Sequence, residues 1–426
     1  VGGTDPLPHG LYGCSEIIVD GFLYLLQDGV LTREVFEDEN LQRLLDAGVI
    51  THEVSLDTLD RLCEEGVIRS SLRARDVDWL RQFGILRPDC EIKGGQLLVG
   101  ERSITPDLRQ DSAREQLAEH ALGRRLEGGV VMHGGFYIGP ESFYQGLRQL
   151  DEEQRRRISM TSVNFINHLY DHDYGRQSLK RAQRRNARFI NSAIMATLNG
   201  SVVSDGLEDG RVLSGVGGQY NFVAMAHELP DGHSVLTLRA VRSEHGKPAS
   251  NIMFSYGHCT IPRHLRDFVV TEYGIADLRG RSDSEVYKQM IQIADSRFQP
   301  ELLKQAKAAG KIESDWEIPP AFRQNTPQRI AGLVGDFQKH HELFPRFPFG
   351  CDFTDDELIL GRVLKALKAK SGSTSGRIRM LLDALRVSDP TADQQRLLER
   401  MGLDKPQQFK DKLERRALLA ALQANN

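Results

Sequence analysis

The chain has 426 residues, more than one ordinary compact domain holds, so two or three lobes are expected. Its 55 Lys and Arg against 59 Asp and Glu leave a formal net charge of −4, which gives no general attraction for nucleic acid or an anionic membrane, and no apolar run of about 18 residues supplies a transmembrane helix. Five scattered cysteines (Cys14, Cys63, Cys90, Cys259, Cys351) without a C-x-x-C pair speak against a disulfide framework or structural zinc and for a cytoplasmic protein with no metal.

The first residues, VGGTDPLPHG, lack the basic and apolar regions of a signal peptide, and a start on Val reads as a fragment or processed product. Residues 15–29 read as a helix: Ser15 can cap it, Glu16 and Asp20 suit its positive end, Leu23, Leu26 and Val30 share a face, and Gly29 can end it. On pattern alone Glu16 is a dipole partner in a first turn. A degenerate repeat of about 18 residues comes next, ending in turn at LLQDGVL, LLDAGVI, LCEEGVI and LRQFGIL. Each unit is an amphipathic helix, a glycine cap and an apolar tail, and the units are expected to pack onto a catalytic core.

From Gly128 the pattern alternates strands (GGVVMHGGFYIG, ISMTSVNFI, RFINSAIMATLNGSVVS) with helical segments such as Ser142–Leu150, which predicts an α/β fold with an open, mostly parallel sheet. Ligands gather at the carboxyl ends of such strands, where His133 is a candidate substrate contact, although a lone His is more often a satisfied interior residue. The segment NHLYDHDYGRQSLKRAQRRNARF holds His168, Asp171, His172 and Asp173, which lack the helical spacing of a zinc site. Its Lys180, Arg181, Arg184, Arg185 and Arg188 read first as a solvated basic face and second as a dock for phosphates.

In SGVGGQYNF, Gly215, Gly217 and Gly218 can turn backbone N–H groups into one concavity and so hold an anion or developing oxyanion, with Gln219 adding an amide; a simple tight turn is the competing reading. In DFVVTEYGIADLRGRS, Phe268–Thr271 reads as a buried strand, Gly274 as a turn into a helix, and Glu272 as a strand-end carboxylate. Beyond residue 300 the proline-aromatic stretch LFPRFPFG, a capping box at Thr354 and Glu357, a flexible joint SGSTSG and amphipathic helices read as a helical appendage.

Taken together, GCSE…DG, SGVGGQ and VVTEYGIADLRG resemble the C-terminal catalytic half of the acetyl-CoA hydrolase/transferase family of class I CoA-transferases, over about residues 10–31 and 128–300. The resemblance implies a CoA-transferase-type sheet in residues 1–300, a helical insertion over about 32–125 and a helical extension at 301–426. It implies that Glu16 is the covalent nucleophile, that Gly217 and Gly218 serve catalysis, and that Gly215, Gln219, His133 and Glu272 contact substrate or CoA. No tightly bound cofactor is implied, coenzyme A being a substrate. The implied partners are an acyl-CoA, a small carboxylate, a second copy of the chain in a homodimer, and an N-terminal half absent from this chain. The implied activity is CoA transfer through a glutamyl-CoA thioester. Hydrolysis by the same intermediate and a non-catalytic CoA-binding or assembly module are the alternatives.

Overall fold

A computed structural model supplies the fold and describes residues 7, 10–170, 177–244, 246–341, 344, 347 and 351–424. In chain order its elements begin with β1 (Gly13–Ile18), α1 (Asp20–Gln27), α2 (Glu39–Asp46), α3 (Leu56–Glu64), α4 (Ala74–Gln82), β2 (Cys90–Lys93), β3 (Gln96–Val99), β4 (Arg102–Ile104) and α5 (Asp111–His120). They continue with β5 (Met132–Tyr137), α6 (Glu141–Gln149), α7 (Glu152–Arg156), β6 (Ile158–Met160), α8 (Val163–Asn167), α9 (Gln177–Gln183), β7 (Arg188–Ser192), β8 (Met195–Thr197), β9 (Val202–Val203) and α10 (Gln219–Glu228). Then come β10 (His233–Thr237), β11 (Val241–Glu244), β12 (Lys247–Ser250), β13 (Ile252–Met253), β14 (Phe268–Thr271), β15 (Gly274–Asp277), α11 (Asp283–Gln292), α12 (Gln299–Ala308) and α13 (Pro327–His341). The last helices are α14 (Asp355–Ser371), α15 (Thr374–Leu385), α16 (Ala392–Arg400) and α17 (Phe409–Gln423). Two compact units result, Val1–Gly139 with Phe143–Arg346 and Pro140–Ser142 with Phe347–Asn426.

The first unit is α/β with parallel pairing in its core, though the strands divide among small sheets. One has the order β1–β5–β6, parallel throughout; another runs β15–β14–β10–β7, parallel except for the hairpin strand β15. The predicted helix over 15–29 is corrected at its start. Residues 13–18 form β1, because pairing with β5, from Gly13 opposite Met132 to Ile18 opposite Tyr137, outweighs the local cap signal. The Ser15 hydroxyl donates to the Ile17 carbonyl at 2.7 Å and caps nothing. In ISMTSVNFI only Ile158–Met160 is strand; the rest opens α8, capped by Ser162.

The VVTEYGIADLRG stretch is also corrected: Gly274 turns the chain into β15, not directly into a helix. Hydrogen bonds knit this motif to the segment just after α11. The Thr271 hydroxyl donates to the Ile293 carbonyl at 2.8 Å, and the Tyr273 hydroxyl donates at 2.8 Å to Asp295, a fully buried carboxylate that also receives the Arg297 guanidinium. Burying that carboxylate is tolerable because each side of it is hydrogen-bonded.

The four repeat units close in one way. Gly29, Gly48, Gly66 and Gly84 have φ of 69°, 69°, 72° and 67°, the left-handed region that glycine enters without strain. Behind each, the next two amides donate to one carbonyl, that of Leu25, Leu44, Leu62 or Leu80. The first unit lies on the strand core as expected, its Leu23, Leu26 and Leu31 against Ile18, Val131 and Met132. The other three pack on one another around Phe36, Leu41, Leu59, Leu62, Leu80 and Ile85, while Arg33 donates to the Ala182 and Gln183 carbonyls of α9 and Arg185, just after α9, donates to the Asp46 carbonyl of the second unit. The chain then returns along the units, with bridges Leu86–Leu122, Glu53–Arg125 and Val35–Val130. On this return Gly123 passes so close that an added Cβ would lie 1.9 Å from the Gly84 carbonyl oxygen, a backbone atom. Gly123→Ala is therefore expected to lower the unfolding free energy by about 2–3 kcal/mol, read as a shift in denaturation midpoint; an unchanged midpoint would contradict the close passage.

The second unit is helical, with Leu360, Val363, Leu398, Leu418 and Leu422 at its core. The capping box at Thr354 and Glu357 forms as expected. The stretch SGSTSG is a tight corner and not a flexible joint: Ser373 caps α15, and a Cβ on Gly376 would lie 1.9 Å from the Lys370 carbonyl oxygen.

Candidate active site

Three elements converge on the Glu16 carboxylate. Strand β1 presents it half-buried, and the path of β5 beside it depends on two glycines: a Cβ on Gly134 would overlap Ile18, and one on Gly135 would lie 2.8 Å from the Glu16 carbonyl oxygen. From the end of α8 the Asn167 side-chain amide donates to Glu16 Oε2 at 3.1 Å. The third element is the N-terminus of α10, whose cap is Gly218. A Cβ there would lie 2.5 Å from Glu16 Oε2 and 2.6 Å from Asn167 Nδ2, so the carboxylate sits where a side chain would otherwise be.

The start of a helix offers amides without intrahelical acceptors and the positive end of the dipole, both favourable to a carboxylate. Gln219 fixes this end in place: its Nε2 donates to the Ser192 carbonyl at 2.7 Å, tying α10 to the carboxyl end of β7. The glycines thus act differently from the expected triple turn. Gly217 alone has positive φ, 60°; Gly218 has φ of −83° and is required for close approach; Gly215 has open space around it.

His133 lies opposite Cys14 in the β1–β5 register, but in the interior. Only 1% exposed, its Nδ1 is 2.7 Å from the Tyr12 hydroxyl and its ring rests against Phe165, so the ring offers no surface contact for a substrate. Burial, with a smaller push from the Arg184 guanidinium, lowers its pKa from 6.5 to about 4. The unfolded ring takes a proton near pH 6.5 and the folded one only near 4, so the unfolded chain binds more protons across that window. Stability should be complete above this window, fall by about 3 kcal/mol as pH drops through it, and level off below. His133→Gln is expected to flatten that limb of the unfolding free energy against pH; a limb of unchanged slope would show that another group causes it.

Glu272 comes directly after β14 and is exposed, its carboxylate accepting from the Ala240 amide at 2.8 Å. Register carries Ser192 to Thr237 and Thr237 to Val270, so it shares the carboxyl edge with Ser192 but sits two strands over, about 10 Å across the sheet. It is not drawn into the Glu16 cluster. Of the four groups weighed as metal ligands, Asp171, His172 and Asp173 lie outside the described residues; His168 Nε2 is 3.2 Å from Asn221 Nδ2. The basic stripe is not one solvated face. Lys180 and Arg184 are 0% and 3% exposed, whereas Arg181, Arg185 and Arg188 face solvent. A cavity of about 480 Å³ lined by Arg242, Phe254, Phe298 and Glu301 includes none of the Glu16 cluster.

Sequence reasoning missed Asn167. A lone Asn beside a predicted strand carries no signal; only α8, itself misread as strand, places its amide at the carboxylate.

Residues 139–306 match the acetyl-CoA hydrolase/transferase C-terminal domain. The chain is 35% identical over 141 residues to a probable butyrate:acetyl-CoA coenzyme A-transferase of Syntrophomonas wolfei, covering 32% of this chain and 31% of the relative. It is 29% identical over 153 residues to a 4-hydroxybutyrate coenzyme A transferase of Clostridium kluyveri, covering 34% and 35%. Among solved structures, RipA from Yersinia pestis aligns with TM-score 0.34 and 24% identity over 42% of this chain and 38% of that one. The chain thus spans about a third of the length of the curated relatives it matches. Glu16 precedes the matched segment, and the fold returns it to Asn167 and Gly218 inside that segment.

Proposed function

We propose, for a chain that belongs through residues 139–306 to the acetyl-CoA hydrolase/transferase family, that Glu16 is the covalent nucleophile of a CoA transfer between a short-chain acyl-CoA and a carboxylic acid. The observation that carries this reading is the carboxylate lodged against Gly218 at the start of α10 with the Asn167 amide on it. The Glu16 carboxylate attacks the thioester carbonyl and expels CoA thiolate, leaving a mixed anhydride. The thiolate returns to the glutamyl carbonyl, which frees the first acid and leaves a glutamyl-CoA thioester. An incoming carboxylate attacks this thioester and expels CoA thiolate, which then takes the new acyl group and restores Glu16.

Each attack creates a tetrahedral oxyanion. The Asn167 amide and the first amides of α10 are the donors at hand, each worth about 3 kcal/mol when aimed at the developing charge. A carboxylate nucleophile carries no proton to remove, so the attack needs no general base. Water in place of the acceptor acid gives hydrolysis by the same route. We propose further, from the family resemblance, that the facing wall of the site belongs to a second α/β half.

Incubation with butyryl-CoA followed by borohydride should reduce a trapped thioester to the alcohol, found by mass spectrometry in the peptide holding Glu16. An unmodified Glu16 peptide in a protein that turns over would refute the covalent route. Turnover stimulated by acetate would separate transfer from hydrolysis.

A further inference from the structure

Two buried cations have no part in that chemistry. We propose that Lys180 and Arg184 are positioning residues that hold Asn167 against Glu16. Asn167 ends α8, a helix of five residues whose last carbonyls have no partner within it. The cations supply those partners. Lys180 Nζ donates to the His168 carbonyl at 2.8 Å and Arg184 Nη2 to the Phe165 carbonyl at 2.8 Å, so the two bonds bracket Asn167. Both cations also lie over the Phe165 ring, at 4.7 Å and 6.0 Å from its centre.

Arg184 does more than close a helix end. Its Nη1 reaches the Met225 sulfur of α10, so one guanidinium spans the helix that carries Asn167 and the helix that begins at Gly218. Placing a lysine and an arginine at 0% and 3% exposure is unfavourable unless their donors are used. Here Lys180 Nζ and both terminal nitrogens of Arg184 are spent on the two elements that meet at the carboxylate, beside the negative end of α8, where a cation is favoured, while Arg184 Nε is left buried without a partner.

The kinetic consequence rests on the Glu16 reading; the structural one does not, and the experiment separates them. In the full chain, Lys180→Met keeps the stem and removes the donor, Arg184→Lys keeps the charge and removes the fork, and Asn167→Ala removes the amide. The first readout is the Asn167 side-chain amide signal in ¹⁵N-labelled, deuterated protein without substrate. It is expected to shift or broaden in both cation variants. The second is kcat and KM for butyryl-CoA. Asn167→Ala should lower kcat about 10²-fold, and Lys180→Met about tenfold with KM within about twofold. Lys180→Met combined with Asn167→Ala should be no slower than Asn167→Ala alone, because one residue acts through the other. Multiplying losses, or an unmoved Asn167 signal in either folded cation variant, overturns the proposal. If the wild-type chain shows no turnover, the amide signal alone decides the clamp.

Discussion

Glu16→Gln should cut CoA transfer on the order of 10⁴-fold while leaving the protein folded. The substitution keeps the length of the side chain and an oxygen that can accept from Asn167 Nδ2, so the contact at 3.1 Å can persist. What disappears is the anionic oxygen that attacks, and with it the trapped thioester. Glu16→Asp tests position separately from chemistry. Its carboxylate withdraws from Gly218 by one methylene, about 1 Å or more, and a displacement of that size is enough for roughly a 10²-fold loss. Release of CoA thiol and exchange of label between acetate and acyl-CoA measure both variants. Glu16→Gln retaining activity within about tenfold of wild type would remove Glu16 from the mechanism.

Gly218→Ala is the second large effect, and it should separate stability from turnover. The new methyl would lie 2.5 Å from Glu16 Oε2 and 2.6 Å from Asn167 Nδ2, both the far ends of side chains. Ordinary contact begins at 3.4 Å, so the carboxylate must move by about 1 Å. Such ends move at little expense to folding, because Gly218 has φ of −83°, which alanine adopts freely. Activity is expected to fall about 10²-fold with a melting temperature close to wild type. Gly215→Ala, with nothing within 4 Å, is the matched control and should be near neutral in both measurements. Equal activity in the two variants would mean that the close approach at Gly218 has no functional weight.

The α/β class, strand β14 to the residue, the four glycine-ended units and the meeting of Glu16 with Gly218 were legible in the sequence. Local pattern marks apolar runs and turns well, and the three motifs stand in a recognisable order. The errors share one cause, tertiary contacts that outvote local preference. Ser15 with Glu16 and Asp20 imitates a helix start, yet pairing with β5 makes the segment a strand. Asn164–Asn167 continues an apolar run but coils into α8. Lys180 and Arg184 have the spacing of a solvated face, and nothing near them in sequence announces that α8 requires their donors. Local pattern alone does not show the need for Gly218, which concerns an oxygen 202 positions away at Glu16; only the resemblance of the three motifs brings the two together.

The excursion between Glu16 and β5 leaves and re-enters at one doorway, where Val35 and Val130 exchange amide bonds at 2.8 and 2.9 Å. A detour whose two ends are stitched side by side transmits nothing of its own length to the strands outside it. The three units beyond it, each closed by the same glycine clasp, form a separate stack. The nucleophile's address is therefore set at the doorway and not by what lies beyond it.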